Sequence, residues 1–439
     1  MRPRLRHPRD REIARLAIPA FGALISEPLY ILADTAIVGH LGTPQLGGLA
    51  VASGILLTAF NLFIFLAYGT TAAVSRLLGA GHEREAARQA VQSMWLAAAI
   101  GVAVAIGGWL LSGSLVGMMG AEGAVRANAL VYLRISLLGV PAMLIVLAGT
   151  GYLRGAKNTR TPLAIAGGTA VMNLVIEVVL IYGLDQGIGA SALATVLAQS
   201  AAAAIYLRYL LRAARAHGAT LTPHAASLWS LAVVARDLLI RTAALRAALV
   251  VATAVATRIG AIDVAAHQIA FETWSFLAFA LDAVAIAGQA IVGHALGAGN
   301  GEDARAAGRR MIEWGVVGGL LVGAAVAATH TLLPRLFSGD AAVISLASFL
   351  LLWVAALQPI NAIAFVLDGV LIGAGDMRFL AWAMVGAAAA FVPAALVVLA
   401  VGAGIGWLWA AIGLLMAIRA TTLLARFAGD RWMVLGAVR

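Results

Sequence analysis

The chain has 439 residues, of which 62% are hydrophobic and only 11% charged, with a formal net charge of +10 and no cysteine. A soluble globular chain averages about 45–50% apolar and about 25% charged residues, so this composition is that of a polytopic membrane protein with room for a dozen spans. The lack of cysteine excludes disulfides and thiolate metal sites. The positive charge argues against nucleic acid as a partner, because it is almost all arginine (Lys157 is the only lysine) and sits in alternate loops.

The arginine-rich start, Arg2 to Arg15, followed by apolar residues has the outline of a signal peptide. The apolar stretch is too long for one and carries Glu27 and Asp34, so a retained first span is expected. Spans are predicted at 13–38, 46–71, 88–111, 128–152, 162–183, 188–211, 238–259, 265–292, 308–330, 345–372, 379–401 and 404–425. Arginine and lysine cluster at the N-terminus (Arg2, Arg4, Arg6, Arg9, Arg11, Arg15), after spans 2, 4, 6 and 8, and at the C-terminus (Arg426, Arg431, Arg439). By the positive-inside rule both termini are cytoplasmic, in an inner or plasma membrane. Thr161-Pro162 reads as a capping hydroxyl before a proline at the start of span 5. The polar stretch 212–237 is the candidate linker, and Leu228, Trp229 and Leu231 beside Arg236 suggest an amphipathic helix on the membrane surface.

An internal repeat gives that linker meaning. Gly42 matches Gly260, Gly79-Ala80-Gly81 matches Gly297-Ala298-Gly299, Pro141 matches Pro359, Gly155-Ala156 matches Gly373-Ala374 and Arg160 matches Arg378, all at an offset of 218. The predicted organisation is therefore an all-α protein of twelve spans in two six-helix lobes, residues 1–211 and 238–439, related by an axis along the membrane normal. The lobes differ in their acids. The counterparts of Asp34 and Glu177 are Ala252 and Ala395, so whatever those carboxylates do is confined to the first lobe.

A charge near the bilayer centre costs roughly 2.5–3.5 kcal/mol even on insertion-based scales, so acids within spans are functional candidates. Asp34 and Glu177 both fall in the outer halves of outward-running spans, Asn173 lies one turn below Glu177, and Thr195 enters span 6 at similar depth. These four residues are expected to line one polar chamber. Two close carboxylates in a low-dielectric site do not both stay ionised, so one can carry a proton. Glu27, about 10 Å deeper and beside Pro28, belongs to the same chamber or to a central cleft. In the second lobe Arg246, Asp282 and Asp368 share a depth and suggest an ion-paired network, with Arg241 nearby. No GxxxxGK[ST] loop and no HExxH pattern is present, which argues against ATP hydrolysis and metalloenzyme chemistry. No enzyme activity and no cofactor is expected.

The run Asp34-Thr35-Ala36-Ile37-Val38-Gly39-His40-Leu41-Gly42, with Ala266-His267-Gln268-Ile269-Ala270, Gly288-Gln289, Gly293 to Gly299, and Pro359-Ile360-Asn361-Ala362 before Asp368-Gly369, resembles multidrug and toxic compound extrusion (MATE) transporters of the DinF-like branch. The resemblance covers essentially the whole chain. It implies two six-helix lobes around a V-shaped cleft and export of organic, mostly cationic or amphipathic compounds in exchange for H+ or Na+, by a monomer in contact with lipid and a small organic substrate. By motif, Asp34 matches the span-1 aspartate thought to be protonated, Pro19 the proline where span 1 bends, Asn173-x-x-x-Glu177 an Asn-x-x-x-Asp pattern, and Thr195 the polar residue of span 6. The same chamber, at Asp34, Asn173 and Glu177, would also suit Na+. Glu27, Tyr30, Arg246, Asp282 and Asp368 are the candidates for lining the substrate cleft. Asn361 stands at the span-10 position where another branch places a cation-binding acid, so a second-lobe Na+ site is not expected. The alternatives are a flippase for lipid-linked oligosaccharide or lipid, and an exporter of organic anions.

Overall fold

The computed structural model describes residues 8–437. The sequence-predicted charges at Arg2, Arg4, Arg6 and Arg439 lie outside the described residues. Fourteen α-helices follow in chain order: α1 (Pro8–Gly39), α2 (Thr43–Phe63), α3 (Phe65–Gly79), α4 (Glu83–Met118), α5 (Gly123–Leu137), α6 (Val140–Gly155), α7 (Arg160–Val178), α8 (Gly189–Ala216), α9 (Ala225–Ile259), α10 (Ala261–Gly297), α11 (Gly301–Thr329), α12 (Ala341–Gly373), α13 (Met377–Ala400) and α14 (Ile405–Ala428). Eleven helical segments are long and apolar enough to cross a membrane, and the pair α5 and α6, bent by 50° at its break, makes twelve. An all-helical chain is what hydrocarbon demands, since each span then satisfies its own backbone groups.

The predicted spans coincide with these helices, and the departures have local causes. Span 2 is α2 plus α3, meeting at Ile64. Span 4 breaks before Pro141, which occupies the first turn of α6, where its missing N–H costs nothing. Its counterpart Pro359 sits inside unbroken α12. Thr161 does not cap span 5: α7 starts at Arg160, and the Thr161 N–H is taken by Asn158 Oδ1 at 3.1 Å. The expected surface helix at 228–236 is instead the beginning of α9, which continues without a break into span 7. The residues ahead of it are strapped to α4, with Gln92 Nε2 donating to the Thr222 carbonyl at 2.9 Å and the His224 N–H donating to Gln92 Oε1 at 2.8 Å.

The chain divides into two compact units, residues 22–235 and residues 8–21 together with 236–437. In the first, Gly151 and Gly155 of α6 lie against the carbonyls of Ala67 and Thr71 of α3. In the second, Gly369 and Gly373 of α12 lie against the carbonyls of Ala285 and Gln289 of α10. These contacts are the same ones at the offset of 218. Glycines four apart bring two helix backbones into direct contact, which is how spans associate where lipid removes the hydrophobic driving force. In the second unit the first turn of α1 is tied to α11: Arg310 Nε and a terminal nitrogen donate to the two Asp10 oxygens at 2.7 and 2.8 Å, Trp314 Nε1 donates to Asp10 at 2.9 Å, and Arg9 pairs with Asp303.

Replacing Gly373 with valine drives a side chain into the Gln289 backbone and should destabilise the protein by about 1–3 kcal/mol. Gly386, with open space around it, should accept alanine without loss. Melting temperatures of the two purified variants in detergent check the contrast.

Candidate functional site

Within unit 22–235, four helices bring polar side chains to one buried place. Tyr30 and Asp34 are one turn apart on α1, Asn173 and Glu177 one turn apart on α7, and Ser191 and Thr195 one turn apart on α8, while Tyr132 comes from α5. Asp34 is 4% exposed, Asn173 3%, and Glu177 and Ser191 0%. Ser191 Oγ donates to Asp34 Oδ1 at 2.5 Å. Asn173 Nδ2 donates to Thr195 Oγ1 at 3.1 Å, and the Tyr30 hydroxyl shares a 2.8 Å hydrogen bond with the same Thr195 oxygen. Thr195 Oγ1 also lies 3.2 Å from the Ser191 carbonyl, to which it donates.

Glu177 is the exception in this network. Asp34 and Ser191 lie at hydrogen-bond range of its carboxyl, but Asp34 is itself an acceptor and the Ser191 hydroxyl is spent on Asp34, so neither Glu177 oxygen receives a donor, and Asn173 Oδ1 is likewise without a partner. Three oxygen acceptors thus stand unmatched in a dry site, where each unmade hydrogen bond costs about 1–3 kcal/mol. Directly after Glu177 the helix changes to a π turn, Val179–Gly183. Such turns within helices are frequent at functional sites.

The four residues predicted to share a chamber, Asp34, Asn173, Glu177 and Thr195, therefore sit together. Tyr30 joins them through Thr195, whereas Glu27 is exposed and outside the buried set. Ser191 and Tyr132 were not predicted. Ser191 lies four residues before Thr195, so the helical period alone would have put it on the same face. Pro19 is half-buried within α1, in the portion that belongs to the other unit.

The unit holding residues 236–437 has a second polar cluster. Asp368 Oδ2 accepts from Arg241 at 2.6 Å and from Arg419 at 2.5 Å. Asp282, half-buried, interacts electrostatically with Arg419, and Arg246 is exposed. The partners of Asp368 are thus Arg241 and Arg419, and Arg419 was absent from the predicted network. His267 is fully buried, between the rings of Phe271 and Trp409 at 5.9 and 5.8 Å. Asn361, also fully buried, leaves both its amide nitrogen and oxygen without a described partner.

The chain matches the MatE family over residues 19–179 and 245–397. It is 32% identical to DNA damage-inducible protein F of Escherichia coli (strain K12) over 242 residues, spanning 54% of this chain and 53%, about half, of that protein. With Protein DETOXIFICATION 44, chloroplastic, of Arabidopsis thaliana it shares 31% identity over 423 residues, 93% of this chain and 80% of the relative. Among solved structures, the Vibrio cholerae MATE transporter VcmN in its bent form superposes with a TM-score of 0.88 over 96% of both chains at 20% identity. A MOP superfamily transporter from Pyrococcus furiosus gives 0.85 over 96% of this chain and 95% of that one, at 22% identity.

Ser191→Ala removes the donor to Asp34 and should cost about 1.5–3 kcal/mol, the usual worth of a hydrogen bond to a charged group. Thr195→Ser keeps its hydroxyl and should cost less. Thermal unfolding of both variants in detergent at one pH compares them.

Proposed function

The chain belongs to the MatE family of membrane transporters, which are not enzymes, and from that premise we propose that it exports organic, amphipathic or cationic compounds in exchange for protons at the Asp34–Glu177 pair. The observation that carries the reading is Glu177, wholly buried beside Asp34 with neither oxygen partnered. Two adjacent carboxylates in so dry a place do not hold two charges; a single proton between them relieves both the repulsion and the missing donor. Ser191 holds Asp34 in one orientation, and Tyr30, Asn173 and Thr195 tie α1 to α7 and α8.

Proton arrival and departure alter the one polar tie between α1 and α8 that involves a charge. That makes α1 the element on which protonation acts, and Pro19 and Pro28, each lacking an N–H inside the helix, are places where α1 can yield, with Pro19 the one the family resemblance marks. Substrate release follows from this change in an alternating-access cycle. Na+ is the second coupling ion to test, because Glu177 and Asn173 offer three unpartnered oxygens and a hard cation takes oxygen ligands. The placement proposed is the inner membrane, as a monomer with both termini cytoplasmic, following the arginine distribution. Glu27, Tyr30, Arg246, Asp282 and Asp368 are the proposed contributors to the substrate path.

Asp34→Asn should reduce pH-driven efflux from proteoliposomes to the level of protein-free vesicles, and Glu177→Gln should lower it at least tenfold if the pair shares one proton. Undiminished transport by Asp34→Asn would remove the residue from the mechanism. Imposing a Na+ gradient at constant pH separates the two coupling ions.

A further inference from the structure

Arg419 of α14 is 3% exposed, within a membrane-spanning unit. A guanidinium keeps its charge and carries five N–H donors. One of these goes to Asp368 Oδ2 and one to the sulfur of Met416, a weak acceptor, at 3.3 Å. The other three have no hydrogen-bond partner among the described residues. The face of Phe365 lies under the group at 5.6 Å and offers no oxygen.

Arg241 of α9 places a donor on the same Asp368 oxygen. Two guanidiniums thus converge on one carboxylate oxygen. In a structural ion pair an arginine commonly forks onto both oxygens of its own carboxylate. Asp282 adds a second negative charge near Arg419. The cluster reaches the surface of its unit at Arg241, whose side chain is 12% exposed against 4% for Arg419.

We infer that Arg241 and Arg419 form a recognition site for the carboxylate of an organic substrate, with Asp368 holding the two guanidiniums in place until that carboxylate arrives. Arriving oxygens would meet the unspent fork of Arg419. Arg241, shared and more exposed, is the arm that can leave Asp368 for the ligand. The inference rests on the transport reading for its substrate and narrows that substrate to amphipathic compounds bearing a carboxylate, zwitterions included.

The test uses the full chain in phosphatidylcholine nanodiscs and two fluorescent probes, a fluoroquinolone zwitterion and its ethyl ester. Wild type should bind the zwitterion about tenfold more tightly than the ester, the scale of one charge-assisted hydrogen bond. Arg419→Gln should bring the ratio of the two dissociation constants toward one. Asp368→Asn, which removes the competing carboxylate, should widen it. Taking the ratio within each variant cancels any loss of folded protein, and a purely structural triad predicts no opposite movement of the two ratios. A wild-type ratio of one, binding of neither probe, or ratios unmoved by both substitutions overturns the assignment. Repeating the measurement with phosphatidylglycerol in the disc distinguishes a lipid headgroup: an unchanged ratio supports the substrate carboxylate, and a lost preference overturns it. Gradient-driven transport of the ester by wild type tests the transport reading alone, so the two failures are separable.

Discussion

The backbone of a helix inside a membrane can satisfy a hydroxyl but not a carboxylate. Its carbonyls are free to take a second hydrogen bond, so Thr35, Thr58, Thr71, Thr169 and Thr257 each donate to the carbonyl four residues back. Its N–H groups are already spent within the ladder, so a carboxylate on the same helix finds no donor there. An acid on a span must find side-chain donors, as Glu272 does from Gln268 on its own helix, share a proton, or hold a cation. Asp34 has Ser191 and Asp368 has two arginines. Glu177 has neither kind of partner.

Backbone packing and polar chemistry are specified separately in the two halves. The glycine pairs Gly151 and Gly155, and Gly369 and Gly373, place their helices against equivalent carbonyls at the offset of 218. Close backbone contact tolerates no side chain, so these positions admit little variation. The acids are under no such constraint. Position 34 is an aspartate in one half and its counterpart is Ala252, itself buried. The crossing can therefore be preserved while one half is made an acceptor-rich site and the other is not.

Much of this was legible in the sequence because the membrane simplifies the reading. Apolar length marks the spans, arginine placement implies a depth for each residue, and depth brings Asp34, Asn173, Glu177 and Thr195 to one level. What escaped shares a cause. Ser191 looks like any small residue in an apolar run, and only its bond across to Asp34 distinguishes it. Arg419 lies close to the C-terminal end of span 12, where the arginine pattern alone leads one to expect an arginine, so its burial and its bond to Asp368 leave no mark in the sequence. The start of α9 carries the pattern of a surface helix. Nothing local says that it continues into the next span, because an amphipathic turn and the exposed first turns of a long helix have the same periodicity.

The two polar clusters have opposite deficits. In the cluster around Asp34 the unmatched atoms are acceptors, the two Glu177 oxygens and Asn173 Oδ1. In the cluster around Asp368 the charged group with unspent capacity is a donor, Arg419. A deficit of donors is relieved by a proton or a metal cation, and a deficit of acceptors by an anion. Neither ligand can relieve the other's deficit, so a small cation and a carboxylate would not compete for one site on this chain. For an exchanger this separation has a direct consequence: coupling must then run through helix movement, since direct displacement of one ligand by the other requires that both fit the same atoms.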